Sequence, residues 1–266
     1  MTHVPGAWVQ RPPEETGAPV RMFCFAHAGG GRSFFAPWRA ALLPDIELCP
    51  VVLPGRETRI KERPLTRVED VIDRMCEVLP EHLDRPFALF GHSMGSVLAY
   101  ETARALHAAG LGTPLGLIVS GRRAPHLPAR RPPLHLLAED EFVAAVARLG
   151  GTPQNILREP GLLRLFLPTL RADFELNETY RPLPGAALPC PVSAFVGAAD
   201  PEAAPEELAG WRESTAHGFS LRVFRGDHFY LKGTPGELFA ALRADIRRFG
   251  ATVPVPHPVH IERITP

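Results

Sequence analysis

Apolar residues along this chain come in two periods. Short, nearly continuous runs occur over 20–26, 46–53, 87–90, 115–120, 192–196 and 219–224. Runs of this length, bounded by glycine or proline, read as strands buried on both faces. Between them the spacing changes to three and four. Val68, Val71, Ile72, Met75, Val78 and Leu79 lie on one side of a helix over 68–83. The segments 33–43, 97–106, 205–214 and 235–249 read as helices as well. A short edge strand over 7–10 precedes the polar connection 11–19. Strand and helix alternating at this interval predict right-handed crossovers and a mostly parallel sheet with helices on both faces.

The alternation fails between 122 and 188. Pro125, Pro128, Pro132 and Pro133 break the chain, and short amphipathic segments follow at 139–149, 159–170 and 171–180. A single crossover needs one helix, so this stretch is expected to be a helical lid inserted between two strands. The predicted organisation is one domain over 1–250, with the lid at 122–188 and an extended, mobile tail over 251–266.

One strand ends in Gly91-His92-Ser93-Met94-Gly95, and a helix begins directly after it. A serine on a sharp strand-to-helix turn is thrust out over the sheet. The next backbone N–H, that of Met94, sits at a helix start where it has no intrahelical partner. Gly91 and Gly95 let strand and helix approach around the turn. A hydroxyl is a poor nucleophile until a base and an oxyanion pocket serve it. Of eleven histidines, His228 lies after the last predicted strand, at the same sheet edge as Ser93. His92 adjoins Ser93 but should point away from it, and His27 is expected to order the loop that it begins. For the acid that orients His228, Asp200 follows the preceding strand and is preferred. Asp227, next to His228, is its rival, and Asp173 on a lid helix stands third. The order Ser, Asp, His is that of α/β-hydrolases. The second oxyanion donor is sought in His27-Ala28-Gly29-Gly30, with Ala28 preferred. That glycine run lacks the spacing and the lysine of a phosphate-binding loop.

Charge and cysteine usage narrow the class. Lys+Arg and Asp+Glu number 29 each, so no net positive field exists to hold nucleic acid or an anionic membrane. No apolar run is long enough to span a bilayer, and the first residues lack a secretory pattern. Cys24, Cys49, Cys76 and Cys190 are scattered, which suits reduced thiols in a cytoplasmic protein and forms no metal-ligand spacing. A monomer is expected.

The blocks His27-Ala28-Gly29-Gly30, Leu53-Pro54-Gly55-Arg56-Glu57, Gly91-His92-Ser93-Met94-Gly95-Ser96, Gly197-Ala198-Ala199-Asp200-Pro201 and Gly226-Asp227-His228-Phe229-Tyr230-Leu231 together resemble the type II (external, editing) thioesterases of polyketide and nonribosomal peptide assembly lines. The resemblance covers about 20–249. It implies an α/β-hydrolase fold with Ser93, Asp200 and His228 as a catalytic triad. The amides of Ala28 and Met94 would form the oxyanion hole beneath a mobile lid. It implies acyl groups on the phosphopantetheine arm of acyl or peptidyl carrier proteins as substrates, and no further cofactor. Under this reading, Phe142, Leu163, Phe166, Leu167 and Phe174 are candidates for an acyl pocket. Arg56, Arg59, Lys61, Arg63, Arg122, Arg123, Arg130 and Arg131 are candidates for a basic face toward an acidic carrier. The alternatives are a carboxylesterase, a medium-chain fatty acyl thioesterase and a catalytically silent binding protein of the same fold.

Overall fold

The structure is a computed structural model and describes residues 8–12, 14–152, 158–182, 185–233 and 235–251, together with the backbone of 260–263. The apolar runs form β1 (Val20–Phe25), β2 (Ile46–Pro50), β3 (Phe87–His92), β4 (Leu117–Ser120), β5 (Val192–Gly197) and β6 (Phe219–Phe224). With β7 (His260–Arg263) they build one seven-stranded sheet in the order β2-β1-β3-β4-β5-β6-β7. Every neighbouring pair is parallel. All residues of β2, β3, β4 and β5 are buried, as a sheet covered on both faces requires.

Alternate residues divide between two cores. Phe23, Phe25, Leu89, Leu117 and Val119 pack under α2 (Val68–Val78) and α3 (Met94–Ala108). Met22, Cys24, Phe90, Ile118, Phe195 and Phe224 pack on the opposite face, under α1 (Trp38–Leu42) and the C-terminal helix α7 (Pro235–Gly250). Strand order reverses between β1 and β3, because the chain first runs outward to β2 and then returns past β1. Loops leaving β1 and β3 therefore diverge and open a crevice at the carboxyl edge of the sheet.

The lid consists of α4 (Glu139–Leu149) and α5 (Pro160–Thr179). Phe142, Val146, Leu167, Leu170 and Phe174 give it a small core of its own, against which Ala28 of the sheet domain packs. The two segments expected over 159–170 and 171–180 are one helix. Thr169, Leu170, Ala172, Asp173 and Phe174 are all buried, so tertiary contacts carry the helix across the expected break. Pro168 lies inside it, on the exposed side.

Other elements are shorter than expected. The helix over 33–43 is a 3-10 turn (Arg32–Phe35) and then α1, interrupted at Pro37, which has no amide to donate. The helix over 68–83 tightens into a 3-10 turn (Leu79–His82) at Pro80. The segment 205–214 divides into α6 (Pro205–Ala209) and a 3-10 turn (Gly210–Ser214). The edge strand over 7–10 reduces to a bridge between Val9 and Val51. In the expected tail, 260–263 pairs with β6 as the edge strand β7, while 252–259 and 264–266 lie outside the described residues.

Candidate active site

Ser93 joins β3 to α3 with φ 57° and ψ −118°. A non-glycine residue there is strained, and the surrounding contacts must hold it. Space is the first of these. A methyl group on Gly91 would lie 2.1 Å from the carbonyl oxygen of Gly95. One on Gly95 would lie 2.1 Å from that of Phe25. No side chain fits where β3, α3 and the end of β1 meet. Hydrogen bonds do the rest: the Ser93 N–H donates to the Ser120 carbonyl at 2.7 Å. Ser96 Oγ donates to the Gly91 carbonyl at 2.8 Å and accepts from the Ser120 N–H at 3.1 Å. The strained turn is thus tied to the end of β4.

His228 follows β6 and is buried. Its Nδ1 lies 2.8 and 3.0 Å from the two carboxylate oxygens of Asp200, which follows β5. One of these oxygens also accepts the Glu202 N–H at 2.8 Å, which fixes the carboxylate. Asp227 is exposed and accepts the Phe229 N–H at 2.8 Å. It shapes the turn and leaves the imidazole to Asp200. Ser93 and His228 line the same cavity, with no direct hydrogen bond between them.

His92 points away from that cavity, as expected. Its Nδ1 is 3.0 Å from Ser120 Oγ, which is 2.7 Å from the Tyr230 hydroxyl. Burial, with His228 and His27 close by, pushes the His92 imidazole well below its ordinary range. Burial likewise lowers His27 to about 3. His27 orders its loop by its carbonyl, which accepts the Gly30 N–H at 2.8 Å, and by its ring, which packs edge-on against Phe34 and Phe229. Both imidazoles stay neutral around His228. A proton gained by His228 therefore meets no second imidazolium.

The start of α3 packs against the end of β1, where a methyl group on Gly95 would meet the Phe25 and Ala26 carbonyls. Met94 is the first residue of α3, ahead of the helix's own hydrogen-bond ladder. Ala28 lines the cavity. Its loop is held from the lid. Asp173, fully buried on α5, accepts the Gly29 N–H at 2.6 Å and both terminal nitrogens of Arg56 at 2.9 and 2.7 Å. Arg56 also donates to the Gly30 carbonyl at 2.9 Å. One turn earlier on α5, Thr169 donates to the Gly55 carbonyl. Glu57 accepts the Arg32 and Ser33 N–H groups at 3.2 and 2.9 Å. The Pro-Gly-Arg-Glu block is thus a brace between the lid and the Ala28 loop. Sequence reasoning had placed Asp173 only as a distant alternative to Asp200.

The cavity has a volume of about 580 Å³. Of the five expected acyl-pocket residues, Phe174 alone lines it; Val146, Leu149 and Leu170 complete its apolar wall. Phe142 and Leu167 are buried in the lid core, and Leu163 and Phe166 are half-buried away from the cavity. The expected basic face is also corrected. Arg56 and Arg59 are buried; Arg59 pairs with Glu62 at 2.6 Å. Arg130 and Arg131 are exposed but pair with Glu207 and Glu202. Lys61 and Arg63 are exposed. Among the described residues no cluster of three side chains is arranged to hold a metal, and no helix is long and apolar enough to cross a membrane.

The family model described as a thioesterase domain matches residues 20–246. Thioesterase PikA5 of Streptomyces venezuelae is 41% identical over 227 residues, 85% of this chain and 80% of that protein. The gramicidin S biosynthesis protein GrsT of Aneurinibacillus migulanus is 35% identical over 240 residues, 90% of this chain and 94% of that protein. The solved structure of BorB, the type II thioesterase from the borrelidin biosynthetic cluster, superimposes with a TM-score of 0.83 at 36% identity, covering 93% of this chain and all of that one.

Proposed function

Since the chain belongs to the thioesterase domain family and resembles type II thioesterases, we propose that it hydrolyses acyl thioesters from the phosphopantetheine arm of acyl or peptidyl carrier proteins. Stalled or aberrant acyl groups are its substrates in polyketide or nonribosomal peptide biosynthesis. The observation that carries this reading is a strained serine sharing one cavity with a buried histidine–aspartate pair, beneath a lid with an apolar wall.

Ser93 Oγ attacks the thioester carbonyl carbon as His228 Nε2 takes its proton. Asp200, at Nδ1, holds the ring in the required tautomer and stabilises the imidazolium. The carbonyl oxygen becomes an oxyanion and is met by the N–H groups of Met94 and Ala28. Collapse breaks the carbon–sulfur bond. The pantetheine thiol leaves with the proton from His228, and an acyl-Ser93 ester remains. Water then attacks that ester, giving its proton to His228. The second collapse returns that proton to Ser93 and releases the acid. Serine, imidazole and water supply every step.

The test is hydrolysis of a propionyl group from a holo-carrier protein, beside a nitrophenyl ester. Faster release from the carrier than from the ester supports the proposal. Ester hydrolysis without carrier hydrolysis would replace it with a carboxylesterase.

A further inference from the structure

Of the cavity's arginines, Arg122 and Arg123 have no side-chain partner among the described residues, and Arg122 is the one with a buried Nε. It follows Gly121, where a methyl group would lie 3.1 Å from the His228 ring and 2.9 Å from that of His92. Its own carbonyl accepts the Trp211 indole N–H at 2.7 Å, so its backbone is fixed. Its side chain lines the cavity with Ser93 and His228. Yet its guanidinium makes no hydrogen bond or ion pair among the described residues, and its Nε is wholly buried. The neighbouring acceptors are taken. Glu202 pairs with Arg131 at 2.6 Å, Glu207 pairs with Arg130, and the Tyr180 hydroxyl donates to Glu101. Burial, with Arg123 close by, lowers Arg122 to about 10.

The residue as a whole is half-buried, so its guanidinium is a partly desolvated cation with no counter-charge in place. A ligand oxyanion would supply that counter-charge, and the planar guanidinium suits one in a bidentate pair. We propose that Arg122 seats an oxyanion carried by the substrate, namely the phosphodiester of the phosphopantetheine arm. This rests on the thioesterase reading above. The two walls of the cavity separate the parts of such a substrate. Val146, Leu149, Leu170 and Phe174 form an apolar wall for the acyl chain. Arg122 faces the side where its charged neighbours Arg123, Arg131 and Glu202 lie, and Arg131 there is exposed to solvent.

Two measurements test the assignment. The first compares kcat/KM for propionyl-phosphopantetheine and propionyl-pantetheine in the wild-type protein, Arg122→Gln and Arg122→Lys. The wild type should prefer the phosphorylated thioester by roughly tenfold or more. In Arg122→Gln that preference should fall to about one, mainly through KM, with partial recovery in Arg122→Lys. A wild-type ratio near one, or a ratio unchanged in Arg122→Gln, overturns the proposal. A loss in Arg122→Gln confined to succinyl-pantetheine would place the charge on the acyl group and overturn it too. The second needs no variant and holds if Arg122→Gln fails to fold. Free phosphopantetheine should inhibit wild-type nitrophenyl ester hydrolysis at least tenfold more tightly than pantetheine; equal inhibition overturns the assignment. If the wild type hydrolyses the ester and neither thioester, the thioesterase reading fails, while the inhibition still reports on Arg122.

Discussion

The two sides of the catalytic crevice are held by different physics. On the β3 side, Ser93 is fixed by steric exclusion. Backbone atoms of Gly95 and Phe25 occupy the space that side chains at 91 and 95 would need, and the strands beneath are wholly buried. On the β1 side, the Ala28 loop is fixed by polar contacts with a lid helix. Asp173 and Thr169 of α5, with Leu170 between them, reach Arg56, Gly29 and Gly55. Leu170 even occupies the place of a side chain at Gly29, 2.4 Å from where a methyl group there would stand. Ser93 therefore belongs to the sheet, whereas the Ala28 loop is a joint between sheet and lid. A lid that moves away from the sheet domain would release the contacts that hold the Ala28 loop.

Substitutions should separate the two sides. The largest effect is expected at the histidine's partner. Asp200→Asn removes the charge that holds His228 in its working tautomer and should lower kcat about 10⁴-fold with a near-native melting curve, measured by steady-state kinetics on a propionyl thioester. Asp173→Ala leaves the Arg56 guanidinium buried and unpaired. It should destabilise the protein by about 3–5 kcal/mol in denaturant titration and lower kcat more than it raises KM. Replacing both partners, Asp173→Leu with Arg56→Met, should recover much of the stability but not kcat, because the Gly29 amide still lacks its acceptor. Equal recovery of both would show that the bridge serves stability alone.

Gly95→Ala tests the other side. Its methyl group has only backbone to displace, and the expected loss is about 3 kcal/mol, the upper end for overpacking. Activity should fall with the elbow even in molecules that remain folded. A Gly95→Ala protein with wild-type kcat would end the steric account of Ser93.

Near neutral pH the smallest effect is that of the two buried histidines, and it grows as pH falls. His27 and His92 are held neutral by burial, His27 down to about 3. Between pH 6.5 and about 3 the unfolded chain binds a proton at His27 that the folded chain does not, and burial acts in the same direction at His92. Stability from them is complete above pH 6.5 and falls as pH drops, by up to about 1.4 kcal/mol per pH unit for each histidine. His27→Phe should flatten that slope in urea titrations across the range.

The same contrast decides what could be read from the sequence. The elbow is local. Strand, glycine, serine, glycine and helix are contiguous, so Ser93 and Met94 were legible in one stretch. Asp200 and His228 were legible because strand ends in a parallel sheet share an edge. The brace was not. Arg56 and Asp173 are 117 residues apart, and a cation in a polar loop looks like surface until its partner is seen. That is why Arg56 and Arg59 were expected on a docking face. The acyl wall failed for a related reason. α5 buries one side against the lid core and another toward the cavity, and helical periodicity cannot tell which apolar residue faces which. The join at Leu170–Arg171 was hidden for the same reason, since its continuity comes from contacts outside the segment.

The central claim is that Ser93 is the nucleophile of a thioesterase acting on carrier-bound acyl groups. The most direct measurement is release of propionate from a propionyl carrier protein by the wild-type protein and by Ser93→Ala, with intact-mass analysis of each during turnover. The account predicts release by the wild type with a transient propionyl adduct on the peptide containing Ser93, and neither release nor adduct in Ser93→Ala. Release that persists in Ser93→Ala, or an adduct on another residue, would contradict it.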